Sequence, residues 1–174
     1  MMNSMNSIKV DIQKYLYVKH IEEIDERELA IDLEPLAVVG ALSFLKNKGF
    51  AQLSLLTCID RIKENKFQLV YILFNWDNGI HLLVRTKIDR GDPKFITVTN
   101  IYPGAQYYER EVHEFFGVEF DGNEDSFRPL FLERWDDIPP LRKDFDPQAY
   151  SDKKFPKREH PNRFRSYYSG EGSK

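Results

Sequence analysis

Tyr102-Pro103-Gly104-Ala105-Gln106-Tyr107-Tyr108-Glu109-Arg110-Glu111-Val112-His113-Glu114-Phe115-Phe116-Gly117-Val118 is the most strongly patterned stretch of the 174-residue chain, and its periodicity decides the fold. Pro103-Gly104 opens a helix and Gly117 closes it, which predicts a helix over 105–116. Steps of roughly 100° per residue place Ala105, Tyr108, Val112, Phe115 and Phe116 on one face, suited to packing on a sheet. Glu109 and Glu111 flank that stripe on opposite sides, at its edge. Arg110 and Glu114 lie on the opposite face one turn apart, and Glu109 and His113 are likewise i,i+4 neighbours. An ordinary amphipathic helix with a solvated Arg110–Glu114 pair, worth about a few tenths of a kcal/mol, accounts for this periodicity by itself. Against it, carboxylates at an apolar boundary are costly unless a cationic or donating group meets them. A partner surface, or the chain's own C-terminal segment, can supply that group. Glu109 and Glu111 diverge by roughly 200° on a helix, so they cannot act as a catalytic pair on one substrate atom.

Upstream, Leu29, Ile31 and Leu33 alternate as in a short strand. Glu34-Pro35 suits a first helical turn, and Leu36, Val39, Leu42 and Leu45 recur at helical spacing up to Gly49, predicting a helix over 34–48. Four strand-like runs follow: Leu53 to Ile62, Phe67 to Phe74, Ile80 to Ile88, and Phe95 to Thr99. Asp77-Asn78-Gly79 signals a hairpin of type I′, whose two central residues need positive φ. In the third run Ile80, Leu82, Val84, Thr86 and Ile88 point one way, while His81, Arg85, Lys87 and Asp89 point the other, as in a sheet with one wet face. Short connections imply an antiparallel meander. The expected fold is therefore α+β: an antiparallel sheet of four or five strands with helices packed on one face, followed by an extended irregular C-terminal segment. The domain division that goes with it is a domain over residues 1–120 and a partner-wrapping segment over residues 121–174, because six prolines between Pro129 and Pro161 leave no periodicity with which to build a second core.

Composition removes several classes of function. With 41% apolar and 30% charged residues the chain is neither disordered nor a membrane span. Met1 to Ser7 is polar, without the basic and apolar regions of a secretory signal, so an intracellular protein is expected. Cys58 is the single cysteine and reads as a small core hydrophobe. His20, His81, His113 and His160 are scattered, and no glycine-rich phosphate loop is present. The net charge of −3 hides an asymmetry: residues 151–174 carry seven Lys/Arg against three acids, on an otherwise acidic body. With Phe155, Phe164, Tyr167 and Tyr168 interleaved, that tail suits three roles: RNA binding, a solvated terminus, or a strap along a partner.

The 102–118 stretch closely resembles the signature of the C-subunit family of proton-pumping NADH–quinone oxidoreductase (respiratory complex I). Arg128-Pro129-Leu130 and Pro140-Leu141-Arg142-Lys143-Asp144-Phe145 resemble the close of the same domain. Respiratory members carry an aromatic residue and Asp where this chain has His113-Glu114, and a His-Pro pair near Gly122-Asn123-Glu124. The Val-His-Glu-Phe-Phe-Gly version resembles the corresponding subunit of energy-converting membrane-bound [NiFe] hydrogenases and their archaeal relatives. The resemblance implies a structural subunit of the peripheral arm, with no catalysis of its own and no flavin, metal or cluster. It implies as partners a hydrogenase-like or quinone-site large subunit and an iron-sulfur small subunit. It places the chain on the cytoplasmic side of the membrane, in a complex coupling electron transfer to ion translocation. The residues it assigns to an interface are Glu109, Arg110, Glu111, His113, Glu114, Arg128, Arg142, Lys143 and Asp144. The C subunit of an NADH or quinone-type dehydrogenase is the alternative within this class, and an RNA-binding protein using the basic tail is the alternative outside it.

Overall fold

A computed structural model describes residues 4–155, so the basic tail from residue 156 onward lies outside the described residues. Two compact units are present, residues 4–143 and residues 144–155. The first contains α1 (Ser4–Tyr15), β1 (His20–Asp25), β2 (Glu28–Leu33), α2 (Pro35–Asn47), β3 (Gln52–Arg61), β4 (Lys66–Asn75), β5 (Ile80–Asp89), β6 (Lys94–Ile96), α3 (Ala105–Phe116) and β7 (Glu119–Asp121). The second contains α4 (Pro147–Lys154). There Asp146 caps the helix by accepting from the amides of Gln148 and Ala149, both at 3.0 Å, and the Phe145 and Tyr150 rings lie 5.8 Å apart.

The α+β architecture matches expectation, with five strands in the order β1-β2-β5-β4-β3. Register explains the core. Ile31, Val84, Tyr71 and Leu56 form one row across four strands; Leu33, Thr86, Leu69 and Cys58 form the next. Met5 and Ile12 of α1, Val38 and Leu42 of α2, and Val112 and Phe116 of α3 join these rows in one buried cluster. Thr86 is the polar member, and its hydroxyl is satisfied by donating to the Leu33 carbonyl at 3.0 Å. On the wet face Arg85 ties three strands together, reaching Asp32 at 2.7 Å and Glu22 at 3.0 Å.

Three features depart from the sequence expectation. First, β5 runs parallel to β2, so the sheet is not purely antiparallel. The chain leaves β2, crosses through α2 to the far edge at β3, and returns by the expected β3-β4-β5 meander. Second, the run expected over Phe95 to Thr99 leaves the meander. Only Lys94–Ile96 is extended, and it pairs in parallel with β7 in a separate two-stranded sheet. Third, the β4–β5 hairpin is not a two-residue type I′ turn. Trp76 to Gly79 form a four-residue loop in which the Gly79 amide donates to the Asn75 carbonyl at 2.9 Å. Gly79 alone has positive φ there (68°), while the Asn75 and Asn78 side chains accept from the amides of Asp77 and Ile80. Neither α1 nor β1 is among the elements expected from the sequence.

The end of α2 shows why Gly49 stops it. Gly49 N–H donates to the Lys46 carbonyl and Phe50 N–H to the Leu45 carbonyl, both at 3.1 Å, a paired arrangement that needs the left-handed φ of 95° at Gly49. A Cβ there would lie 2.8 Å from the Asn75 amide nitrogen. Gly49→Ala is therefore expected to cost about 1–2 kcal/mol of stability, from strain and the forced shift of Asn75; a denaturant midpoint unchanged from wild type would contradict this.

Candidate functional site

Helix α3 is stopped as its sequence suggests, by Gly117 at φ 79°, whose amide donates to the His113 carbonyl at 2.7 Å. Ala105, Val112 and Phe116 are buried on the inner side. Tyr108 donates through its hydroxyl to the Ser54 carbonyl at 2.8 Å, where the β3–β4 register shifts between Leu53 and Leu55. Tyr102, just before the helix, donates to the Phe50 carbonyl at 2.8 Å and so joins α3 to the end of α2.

Glu109 is not at the boundary of the apolar stripe but inside it, with no exposed surface. Its carboxylate accepts from the Thr97 hydroxyl (2.7 Å), the Val98 amide (2.8 Å) and the Asn123 side-chain amide (2.8 Å). The donors that a carboxylate in this position requires thus come from within the chain, on both sides of the helix in sequence. Burial holds the Glu109 carboxyl above its ordinary 4.5, opposed by these three hydrogen bonds. Glu111 remains half-buried and makes no hydrogen bond or ion pair among the described residues. The two acids therefore have separate surroundings.

On the outer side, α3 holds a belt of irregular chain, residues 127–141. Arg110 donates from Nε to the Arg128 carbonyl (3.2 Å) and from Nη2 to the Pro129 carbonyl (2.8 Å). One turn on, Glu114 accepts from three successive amides: Leu130 at 3.1 Å, Phe131 at 2.9 Å and Leu132 at 2.7 Å. No ion pair joins Arg110 to Glu114; each is engaged by the belt. His113 donates from Nδ1 to the Val118 carbonyl at 2.9 Å, which sets its tautomer, and meets the Phe127 ring edge-on at 4.8 Å. Phe115 lies 6.0 Å from Phe131, and the Phe115 carbonyl accepts from the Leu141 amide at 3.1 Å. Arg128 itself is exposed and pairs with Asp125 at 2.9 Å.

The belt closes on a buried ion pair that no sequence motif announced. Asp60, almost fully buried on β3, accepts from Arg90 Nε (2.9 Å) and Nη2 (3.1 Å) and from the Lys143 amide (2.8 Å). Arg142 donates from Nε to the Phe116 carbonyl at 2.8 Å. The Arg142 and Arg90 guanidinium groups lie 5.2 and 5.5 Å from the centre of the Phe67 ring. Gly117 leaves room for this closure, since a Cβ there would come within 3.1 Å of Arg142 Nη2 and 3.2 Å of Pro139 Cγ. The signal that could have flagged Asp60 is parity: it follows Leu56 and Cys58 on the inward side of β3. Several residues of the stretch 125–143 bond back onto α3 and Asp60, within the first unit. Asp144 belongs to the second unit. Cys58 is buried beside this pair, and burial pushes its thiol up to about 12, so it stays protonated near neutral pH. Among the described residues no three of His, Cys, Asp and Glu converge as a metal site, and no helix is long and apolar enough to cross a membrane.

Residues 31–151 match the family described as the 30 kDa subunit of respiratory-chain NADH dehydrogenase. The chain belongs to this family. It is similar to the mitochondrial NADH-ubiquinone oxidoreductase 30.4 kDa subunit of Neurospora crassa, 34% identical over 140 residues covering 77% of this chain and 49% of the relative. It is similar to the C/D 2 subunit of NADH-quinone oxidoreductase from Aquifex aeolicus, 36% identical with coverage of 84% and 24%. A third relative, the C subunit of the same enzyme from Roseiflexus sp., is 31% identical with coverage of 67% and 69%. The chain thus spans about half the length of the first of these and about a quarter of the second. Among solved structures, a chain of the membrane-bound sulfane sulfur reductase, an archaeal respiratory membrane complex, matches with a TM-score of 0.80 at 34% identity, over 92% of this chain and 96% of that one. The trypsin-resistant fragment of Nqo5 matches with a TM-score of 0.60 at 25% identity, over 71% and 99%. As a member of this family the chain is a C-subunit homologue of complex I-like respiratory complexes.

The two buried acids of this family member can be probed separately. The folded state binds the Glu109 proton more tightly than the unfolded chain does. The stability it contributes is therefore full below the unfolded value of 4.5 and is lost as pH rises through the folded value. The stability advantage of wild type over Glu109→Gln should shrink as pH rises from below 4.5, and unfolding curves that keep a pH-independent gap would refute it. Asp60→Ala removes the carboxylate that Arg90 bonds and should cost about 3–5 kcal/mol. It should also speed hydrogen exchange at the Lys143 amide; unchanged protection there would mean that Asp60 does not secure the belt.

Proposed function

We propose that this chain is a non-catalytic, cofactor-free structural subunit in the peripheral arm of a membrane-bound complex of the hydrogenase type, coupling electron transfer to ion translocation on the cytoplasmic side of the membrane. The membrane-complex part of this reading is supported by the likeness, over nearly the full length of both chains, to a chain of an archaeal membrane-bound respiratory complex, a sulfane sulfur reductase; the hydrogenase type is the part that goes beyond it. His113-Glu114 within the signature supports that part. The partners in this reading are a large subunit, hydrogenase-like or quinone-site-forming, and an iron-sulfur small subunit. Support for the first comes from the relatives named C/D in Aquifex aeolicus and Sulfurihydrogenibium, where the stretch similar to this chain is part of one longer polypeptide. The role is mechanical: electron transfer between neighbouring subunits depends on rigid support of their geometry. In this reading residues 1–120 form the domain and residues 121–174 the segment that wraps a partner. The second reading, the C subunit of an NADH or quinone-type dehydrogenase, is favoured by the names of the curated relatives.

Affinity purification of the tagged full chain from native membranes tests this. Co-recovery of a hydrogenase-like large subunit and an iron-sulfur small subunit is expected. Recovery with an NADH-oxidising flavoprotein module instead would favour the second reading, and recovery as a soluble monomer would overturn both.

A further inference from the structure

The residues that the family resemblance assigns to an interface are largely occupied with the chain's own backbone. Glu109 is fully buried. Arg110, His113, Glu114 and Arg142 hold carbonyls or amides of neighbouring segments. What they hold is a belt whose apolar side chains face outward. Phe127 is 60% exposed, Phe131 63% and Leu141 54%, and Tyr107 of α3 itself is 60% exposed. These large apolar groups are gathered around one helix: Phe127 against His113, Phe131 against Phe115, and Leu141 bonded to the Phe115 carbonyl. Large apolar side chains left exposed along one helix and the chain it holds mark a candidate interaction site. The backbone under them is immobilised by two charged side chains, so the patch is rigid, and rigid aromatic anchors are the residue type that dominates interface energetics.

We propose that the signature works from inside, as a brace, and that the docking surface is the belt it presents: Phe127, Phe131 and Leu141, with Tyr107 at its edge. The occupant is an apolar face of the large subunit, so this inference rests on the proposed function above. Two considerations select that occupant. In the C/D relatives the matched stretch is 24% and 23% of a polypeptide that also bears the D name, so the partner is tethered to the same chain. Tethering raises the effective concentration of a partner at the surface of the matched stretch, and the belt carries exposed aromatic anchors of that surface. Arg110 and Glu114 are then positioning residues: they set the belt and do not themselves bear on the partner.

The test uses the tagged full chain in its native complex, with the large subunit identified by mass spectrometry. The double variant Phe127→Asp/Phe131→Asp should reduce co-recovered large subunit at least about tenfold. Trp76→Ala, at another exposed aromatic on the β4–β5 hairpin, should leave recovery unchanged. Undiminished recovery with the double variant overturns the proposal while leaving the proposed function intact. Absence of any large subunit with the wild-type chain overturns both. Should the double variant fail to fold, hydroxyl-radical footprinting of wild type decides: labelling of Phe127, Phe131 and Leu141 must fall in the complex relative to the isolated full chain. Unchanged labelling overturns the proposal. So does protection that appears in the isolated chain as its concentration rises, since the occupant would then be a second copy.

Discussion

The Glu109 carboxylate, sealed from water and met by donors from Thr97, Val98 and Asn123, is the contact from which the geometry of this protein follows. A buried carboxylate tolerates little displacement, because losing one donor leaves charge without compensation in a low-dielectric surrounding. It therefore sets the rotation of α3 about its own axis. With Glu109 turned in, Arg110 and Glu114 must turn out, and the chain that follows the helix meets a guanidinium and a carboxylate at fixed spacing. Beyond β6 the Thr97 amide still bonds to the Asp121 carbonyl of β7, while the Val98 amide goes to Glu109 instead of to a strand.

The belt that results is irregular, yet its polar backbone is answered. Carbonyls of residues 128 and 129 go to Arg110, and amides of residues 130–132 go to Glu114. Secondary structure normally provides those partners; here two side chains one helical turn apart do. The Asp60–Arg90 pair completes the arrangement by taking the Lys143 amide into the sheet. A buried ion pair is a poor source of net stability, but it is demanding about geometry, which suits a clamp at the end of a unit.

The parts of this fold governed by local chemistry were legible in the sequence. Helix α2 with its Gly49 stop, the three-stranded meander, the alternation in β5 and the limits of α3 follow from periodicity and turn residues. Pairing between distant segments was not legible. Nothing in Glu28–Leu33 states that its neighbour will be Ile80–Asp89 or that the two will run parallel. Strand β1 escaped because only Ile21 of its six residues is even half-buried, so it has no alternation to read. Helix α1 did carry a signal in Met5, Ile8 and Ile12 at helical spacing. At the site, the need of Glu109 for donors was readable, but their source was not: Thr97 and Asn123 reach it from either side of the helix only once the chain has folded. Asp60 and Arg90 are thirty residues apart and belong to no motif.

The way Glu114 gathers three consecutive amides has a consequence for kinetics. A loop that becomes ordered only on contact loses conformational freedom during association, and that loss slows docking and weakens the complex. Here the ordering entropy is surrendered when the chain folds, well before any partner arrives. Association at the belt is then limited by encounter and orientation rather than by loop closure.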